Sequence, residues 1–100
     1  FLKAKREIAK KYKIFFSNKS FSFVEEIEGA RSNCWLNSIL TDSSEQTNLF
    51  LEATNDEGVM TRPAWTLMNE LPMFKHCQKS NLKNSQWLKN RVVNIPSSVV

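Results

Sequence analysis

The segment Gly58–Phe74 reads GVMTRPAWTLMNELPMF. Gly58 supplies a turn, and a short extended run, Val59–Arg62, follows it. Pro63 removes a backbone donor and pushes Arg62 out of the helical region. Trp65, Leu67, Met68 and Leu71 predict one apolar helical surface, ended by Pro72. Arg62 is thus held extended, beside a tryptophan, between a glycine hinge and a rigid proline. An arginine so placed can offer its planar fork to an anion or stack on an aromatic face. The ordinary alternative is a pairing with a nearby carboxylate at the strand end, and on the residues alone both readings stand.

Upstream of this segment, residues 1–17 have helical period. Phe1, Ala4, Ile8, Tyr12 and Phe15 form one stripe, widened by Leu2, Ala9 and Phe16, with Lys3, Arg6, Lys10 and Lys13 on the opposite face. The stripe is broad for so small a domain, which predicts that helix 1–16 packs on a large domain or second subunit. Phe21–Ile27 alternates as a strand, Gly29–Asn33 is a loop, and Cys34–Thr41 is a second strand. Leu36 and Leu40 lie on one face of that strand, with Trp35, Asn37 and Ile39 on the other. The two strands predict an antiparallel hairpin. Asp42 and Glu45 have capping-box spacing and open a helix to about Thr54, with Leu49, Phe50 and Ala53 inward. Asn55 or Gly58 ends it. Downstream, Lys75–Asn81 is a polar loop. Asn81 or Asn84 caps a short helix carrying Trp87 and Leu88, and Val92–Ile95 is a strand stopped by Pro96. The order predicts an α+β domain, residues 1–100, with helices on one face of a small, mainly antiparallel sheet. The two hairpin strands pair directly, and Val59–Arg62 joins the same sheet as a third strand.

The composition narrows the function classes. The chain has 100 residues, 41% hydrophobic and 24% charged, with a net charge of +4, which is globular and one domain in size. Nothing nears the roughly 18 apolar residues of a membrane span, and the interleaved charges of FLKAKREIAKK do not read as a signal peptide. With no initiating Met, the chain reads as a piece of a longer protein. Seven of the 14 basic residues lie in the first 19 positions. Their aromatic neighbours point the other way, so they read as a solvated helix face and not as a nucleic-acid patch. Cys34 and Cys77 lack ligand spacing and read as free cytosolic thiols, which places the protein in the cytoplasm. His76, the only histidine, adjoins Cys77, but neighbouring side chains do not make a nucleophile–base pair. These residues supply too few ligands for zinc, and Glu25, Glu26 and Glu28 read as a solvated edge.

Three groups of residues together carry a resemblance: Cys34-Trp-Leu-Asn-Ser-Ile-Leu40; Gly58-Val-Met-Thr-Arg-Pro-Ala-Trp65; and Leu82, Trp87, Leu88 with Arg91-Val-Val-Asn-Ile-Pro-Ser-Ser98. In this order they resemble the C-terminal small domain of the DegT/DnrJ/StrS family. These are fold-type I, pyridoxal-phosphate-dependent aminotransferases acting on nucleotide-linked sugars, and the similarity is greatest to bacterial members that make amino sugars for surface polysaccharides. The resemblance covers nearly the whole chain. It implies a homodimeric parent enzyme that takes a nucleotide-sugar and an amino donor. It also implies that the Schiff-base lysine and cofactor contacts lie in a large domain outside this chain. None of the ten lysines here is assigned that role, and the chain alone is expected to be inactive. By motif match Arg62 and Trp65 are the substrate-binding candidates, and Asn37, on the hairpin strand, is a further one. Asn69 stands where the family often has His; it can hydrogen-bond but cannot do acid/base work. A different class of function, a free-standing module that binds a partner protein through the aromatic face of helix 1–16, is the alternative. A basic RNA-binding domain is a third.

Overall fold

The computed structural model describes residues 1–99. Helix α1 (Leu2–Phe16) leads into a two-residue strand, β1 (Ser22–Phe23). Strand β2 (Asn37–Leu40), helix α2 (Ser44–Asp56) and strand β3 (Arg62–Pro63) follow. Two single turns of 3-10 helix come next, Met68–Glu70 and Pro72–Phe74. Helix α3 (Lys83–Lys89) and strand β4 (Val92–Ile95) end the order. The sheet runs β1-β2-β4-β3 with every pair antiparallel. It is the α+β architecture with an antiparallel sheet that the chain predicts, but with four strands. The segment after Gly58 joins the same sheet, as expected, but as Arg62–Pro63 and on the far edge: β4 inserts between it and the hairpin, pairing Ile39 with Val93 on one side and Pro63 with Val93 on the other. Pro63 sits on the free edge, where its missing donor costs no ladder bond.

One face of the sheet holds the core. Ile39 and Val93 are fully buried and Ile95 nearly so. Tyr12 and Phe16 from α1 pack on them, as do Phe50 and Leu51 from α2, with Phe21 and Phe23. The two longer helices therefore cover the same face. α2 turns inward with Thr47, Phe50, Leu51 and Thr54, a spacing of one helical stripe, while Leu49 and Ala53, expected inward, are exposed. The threonines satisfy their hydroxyls locally: Thr47 donates to the Asn90 carbonyl at 2.7 Å, and Thr54 bonds Thr61 at 2.6 Å.

The inward seam of α1 also differs from the predicted stripe. Lys5 is buried, Tyr12 and Phe16 face the core, and Phe1 and Phe15 lie outside. The Lys5 stem packs inward while its ammonium donates to the Ser97 carbonyl, the usual behaviour of a long amphipathic side chain. Arg6, expected in solvent, donates to the Ser32 carbonyl. Tyr12 Oη donates to the Pro96 carbonyl at 2.6 Å. Residues of α1 thus fasten both the 24–36 loop and the chain after β4.

Burial pushes the Tyr12 phenol above its ordinary value of 10.0. The folded state then keeps that proton to higher pH than the unfolded chain does. The contribution is fully present below about pH 10 and is lost as pH rises from there through the folded value. Stability across about pH 10 is expected to fall more steeply in the native chain than in Tyr12→Phe, read by denaturant melts; equal slopes would remove Tyr12 from the effect.

Local hydrogen bonding explains where elements stop short of expectation. Ser32 Oγ and Asn33 Oδ1 accept the amides of Cys34 and Trp35, each at 3.0 Å, and Cys34 has φ 55°. Such side-chain turns compete with strand pairing, so β2 begins at Asn37 and not at Cys34. Glu26 accepts the Ser32 amide at 2.6 Å, which draws the chain away from β2 soon after Phe23. Leu71 precedes Pro72 and is extended, ψ 137°, so Pro72 opens a 3-10 turn where a helix end is predicted.

The cap of α2 is Ser43, not Asp42. Ser43 is extended and its Oγ accepts the Gln46 amide at 3.2 Å. Ser43→Ala is expected to cost about 1 kcal/mol, and Asp42→Ala much less. Thermal melts of both variants check this, and the reverse order would restore the Asp42 cap. In α3 the N-cap position is Leu82, without a side-chain cap bond, so neither predicted cap holds it; Asn81, one residue earlier, accepts the Lys83 amide at 3.0 Å through Oδ1.

Candidate functional site

Strand register places Ser38, Asn94 and Arg62 in one row across β2, β4 and β3. Each alternates with the buried set Ile39, Val93 and Thr61, so the row begins on the face away from the core. Ser38 Oγ donates to Asn94 Oδ1 at 2.6 Å. Arg62 ends the row on the free edge of the sheet and is exposed. Its Nη1 donates to Asn55 Oδ1 at 3.2 Å and to the Thr61 carbonyl at 3.0 Å. Both acceptors are neutral. The ion pairs among the described residues are Lys13–Glu25 at 2.6 Å and Lys89–Glu70 at 2.9 Å, and neither involves Arg62. The carboxylate pairing that is ordinary for such an arginine is therefore absent among the described residues.

The surroundings of Arg62 along the chain are apolar and open. Val59, Met60, Trp65, Met68 and Met73 are all large and exposed, with Trp65 at 83%. An uncompensated guanidinium among exposed apolar side chains can receive an oxyanion while the apolar groups cover the rest of a ligand. Asn94, Ser38 and Asn55 belong to this arrangement and were missed. The alternation of Asn94 with Val93 and Ile95 marks it as facing away from the core; nothing local marks Asn55.

The four predicted site residues are not gathered at one place. Arg62 is in β3, and Trp65 lies two residues beyond its end. Asn37 is only 3% exposed, and its backbone amide and Nδ2 both donate to Ser97 Oγ, at 2.9 and 3.2 Å. It lines a cleft of about 490 Å3 between α1 and the 24–36 loop, with Arg6, Lys10, Lys13 and Glu25 among the other walls. There Glu25 raises the Lys13 pKa, by its hydrogen bond first and its charge second. Asn69 lines a different cleft, of about 540 Å3, with Leu67, Phe74, Cys77 and Ser85. Arg62 and Trp65 line neither. His76 and Cys77 are exposed in the loop after the second 3-10 turn. Among the described residues no group of three or more His, Cys, Asp or Glu is placed to hold a metal, and no helix is long and apolar enough to cross a membrane.

A Schiff-base lysine needs an amine held in a desolvated pocket. The buried lysine, Lys5, spends its ammonium on the Ser97 carbonyl. Lys89 is paired with Glu70, and the other eight are exposed on the surface. These residues do not fit a pyridoxal phosphate site.

The whole chain, residues 1–100, matches the model of the DegT/DnrJ/EryC1/StrS aminotransferase family, whose members in general depend on pyridoxal phosphate. Two solved structures are similar in fold. One is the aminotransferase TlmJ from Streptoalloteichus hindustanus, with a TM-score of 0.85 and 17% identity over 97% of this chain. The other is Helicobacter pylori PseC, an aminotransferase involved in the biosynthesis of pseudoaminic acid, with a TM-score of 0.82 and 17% identity over 95%. The chain spans about a quarter of their length, 26% and 27% respectively.

Proposed function

The chain belongs to the DegT/DnrJ/EryC1/StrS aminotransferase family, and we propose that it is the C-terminal, substrate-side domain of an enzyme that aminates a nucleotide-linked keto sugar for surface polysaccharide. Its own residues bind and orient. Arg62 takes an oxyanion of the nucleotide-sugar, Trp65 covers an apolar face of the same ligand, and Asn69 and Asn37 contribute as cleft-lining residues. The cofactor and its lysine belong to a large domain, in a cytoplasmic homodimer. The observation that carries this reading is Arg62: an exposed arginine on a strand edge, fixed by neutral acceptors, with no carboxylate to neutralise it among the described residues.

The exposed flank of α1 supports a docking surface toward the rest of the enzyme. Phe1, Ile14 and Phe15 are each more than half exposed, whereas Tyr12, expected on that surface, packs on the core. The test is made on the full-length protein. It is purified, its visible spectrum is recorded, and amination of UDP- and dTDP-linked 4-keto hexoses by amino-acid donors is followed. Cofactor absorbance with sugar amination is expected. A full-length product no larger than this chain, without cofactor, would return the reading to a free-standing interaction module.

The isolated chain is expected to show no stoichiometric internal-aldimine absorbance with pyridoxal phosphate. An absorbance abolished by replacing a single lysine would overturn that expectation.

A further inference from the structure

We propose that Asn55 is a positioning residue for Arg62: by clamping Nη1 it leaves the Nε–Nη2 edge of the guanidinium open as a two-pronged receptor for one phosphate group. This rests on the reading of Arg62 given above and deepens it. The orientation of the Asn55 amide follows from its neighbours. Its nitrogen lies 2.7 Å from the Leu51 carbonyl, 3.2 Å from the Thr61 carbonyl and 3.0 Å from Thr61 Oγ1. Carbonyl oxygens only accept, so the atom facing them must be the amide nitrogen. The amide oxygen is then turned to Arg62, at 3.2 Å. The Thr61 carbonyl takes the other proton of the same Nη1, at 3.0 Å.

An arginine has five N–H donors. Two are used, both on Nη1, and among the described residues Nε and Nη2 meet no acceptor. In a planar guanidinium Nη2 lies on the Nε side, so those two groups present parallel N–H bonds along one edge. That edge matches two oxygens of a phosphate and is the geometry that distinguishes Arg from Lys in oxyanion recognition. Because both clamping acceptors are neutral, the positive charge is held in place without being cancelled. Asn55 itself is fixed by the last turn of α2 and by buried Thr61, which also bonds Thr54. The clamp is therefore anchored on the end of α2 and on a buried threonine next to β3.

The experiment measures UDP binding to the full-length protein by calorimetry, with melting temperatures recorded in parallel. The variants are Arg62→Ala, Asn55→Ala, Asn55→Asp and the double alanine variant. Arg62→Ala is expected to weaken UDP binding by at least about 10-fold, and Asn55→Ala by roughly 3- to 10-fold. The double variant should be no weaker than Arg62→Ala alone, since Asn55 acts only through Arg62. Asn55→Asp keeps the shape but puts a carboxylate against the guanidinium, and should weaken UDP binding at least as much as Asn55→Ala does. It also keeps the test open should Asn55→Ala fail to fold. If Arg62→Ala weakens UDP binding while folded Asn55 variants leave it unchanged and lose only melting temperature, Asn55 is structural and the proposal falls by itself. Unchanged binding in Arg62→Ala removes the reading of Arg62, and the proposal with it. Loss of affinity for L-glutamate with UDP unaffected would assign the edge to a carboxylate and overturn the phosphate.

Discussion

If the proposed function holds, Arg62→Ala in the full-length protein is expected to raise the KM for a nucleotide-sugar about 10- to 150-fold while leaving the cofactor spectrum unchanged. The range is a lost charge-assisted hydrogen-bond set of about 1.5–3 kcal/mol. Three features motivate it. Pro63 and the pairing of Arg62 with Asn94 fix the backbone, so little ordering of the main chain is needed when ligand binds. The guanidinium meets only neutral acceptors, so its charge is available to an anion. Its site is exposed, so its replacement leaves no buried group unpaired and should cost the fold little. A structural role would give the opposite pattern, an unchanged KM with a lower melting temperature. Both quantities measured on one variant separate the two, and an unchanged KM ends the assignment.

Much of this frame can be read from short-range pattern. The alternation around Ile39 places it inward, and the 3.6-residue period of residues 1–17 forms α1 where expected. What could not be read depends on contacts between distant residues. Val92–Ile95 looks like a strand locally, but nothing in it says that it enters between β2 and β3; that choice is made by packing Val93 against Ile39. Lys5 looks like a surface residue until the Ser97 carbonyl, 92 positions away, gives its ammonium a partner. The same holds for the site. Pro63 makes the setting of Arg62 legible from its neighbours, whereas the Asn55 clamp needs the end of α2 folded back on Thr61. The sequence pattern Asn94-Ile-Pro-Ser-Ser98 has a structural use that the sequence does not show, since Ser97 holds both Asn37 and Lys5 while the Pro96 carbonyl holds Tyr12.

Ile39→Ala is expected to cost about 2–5 kcal/mol of folding stability, a large part of the total for a domain of this size. Ile39 lies on a central strand, is fully buried, and is opposed by Phe23 on one side and Val93 on the other. Among the described residues the buried apolar core is only Ile39, Val93 and Ile95, so few atoms are free to move into the space left by the lost methyl and methylene groups. Around them stand partly buried aromatics from three directions, Tyr12 and Phe16, Phe21 and Phe23, and Phe50. Large rings tied to separate elements cannot all shift toward one gap, so a cavity should persist and add its own cost to the lost burial. Ile39→Val, which removes one methylene and keeps the branched shape, should cost only about 0.5–1.5 kcal/mol. Leu40→Ala, one residue along and on the opposite, half-open face, should cost less than Ile39→Ala because part of that side chain already meets water. Urea melts of the three variants test the ordering. If Leu40→Ala were the most damaging, the buried face of the sheet would be the one that carries Arg62, and both the packing of α1 and α2 and the open setting of the candidate site would have to be reversed.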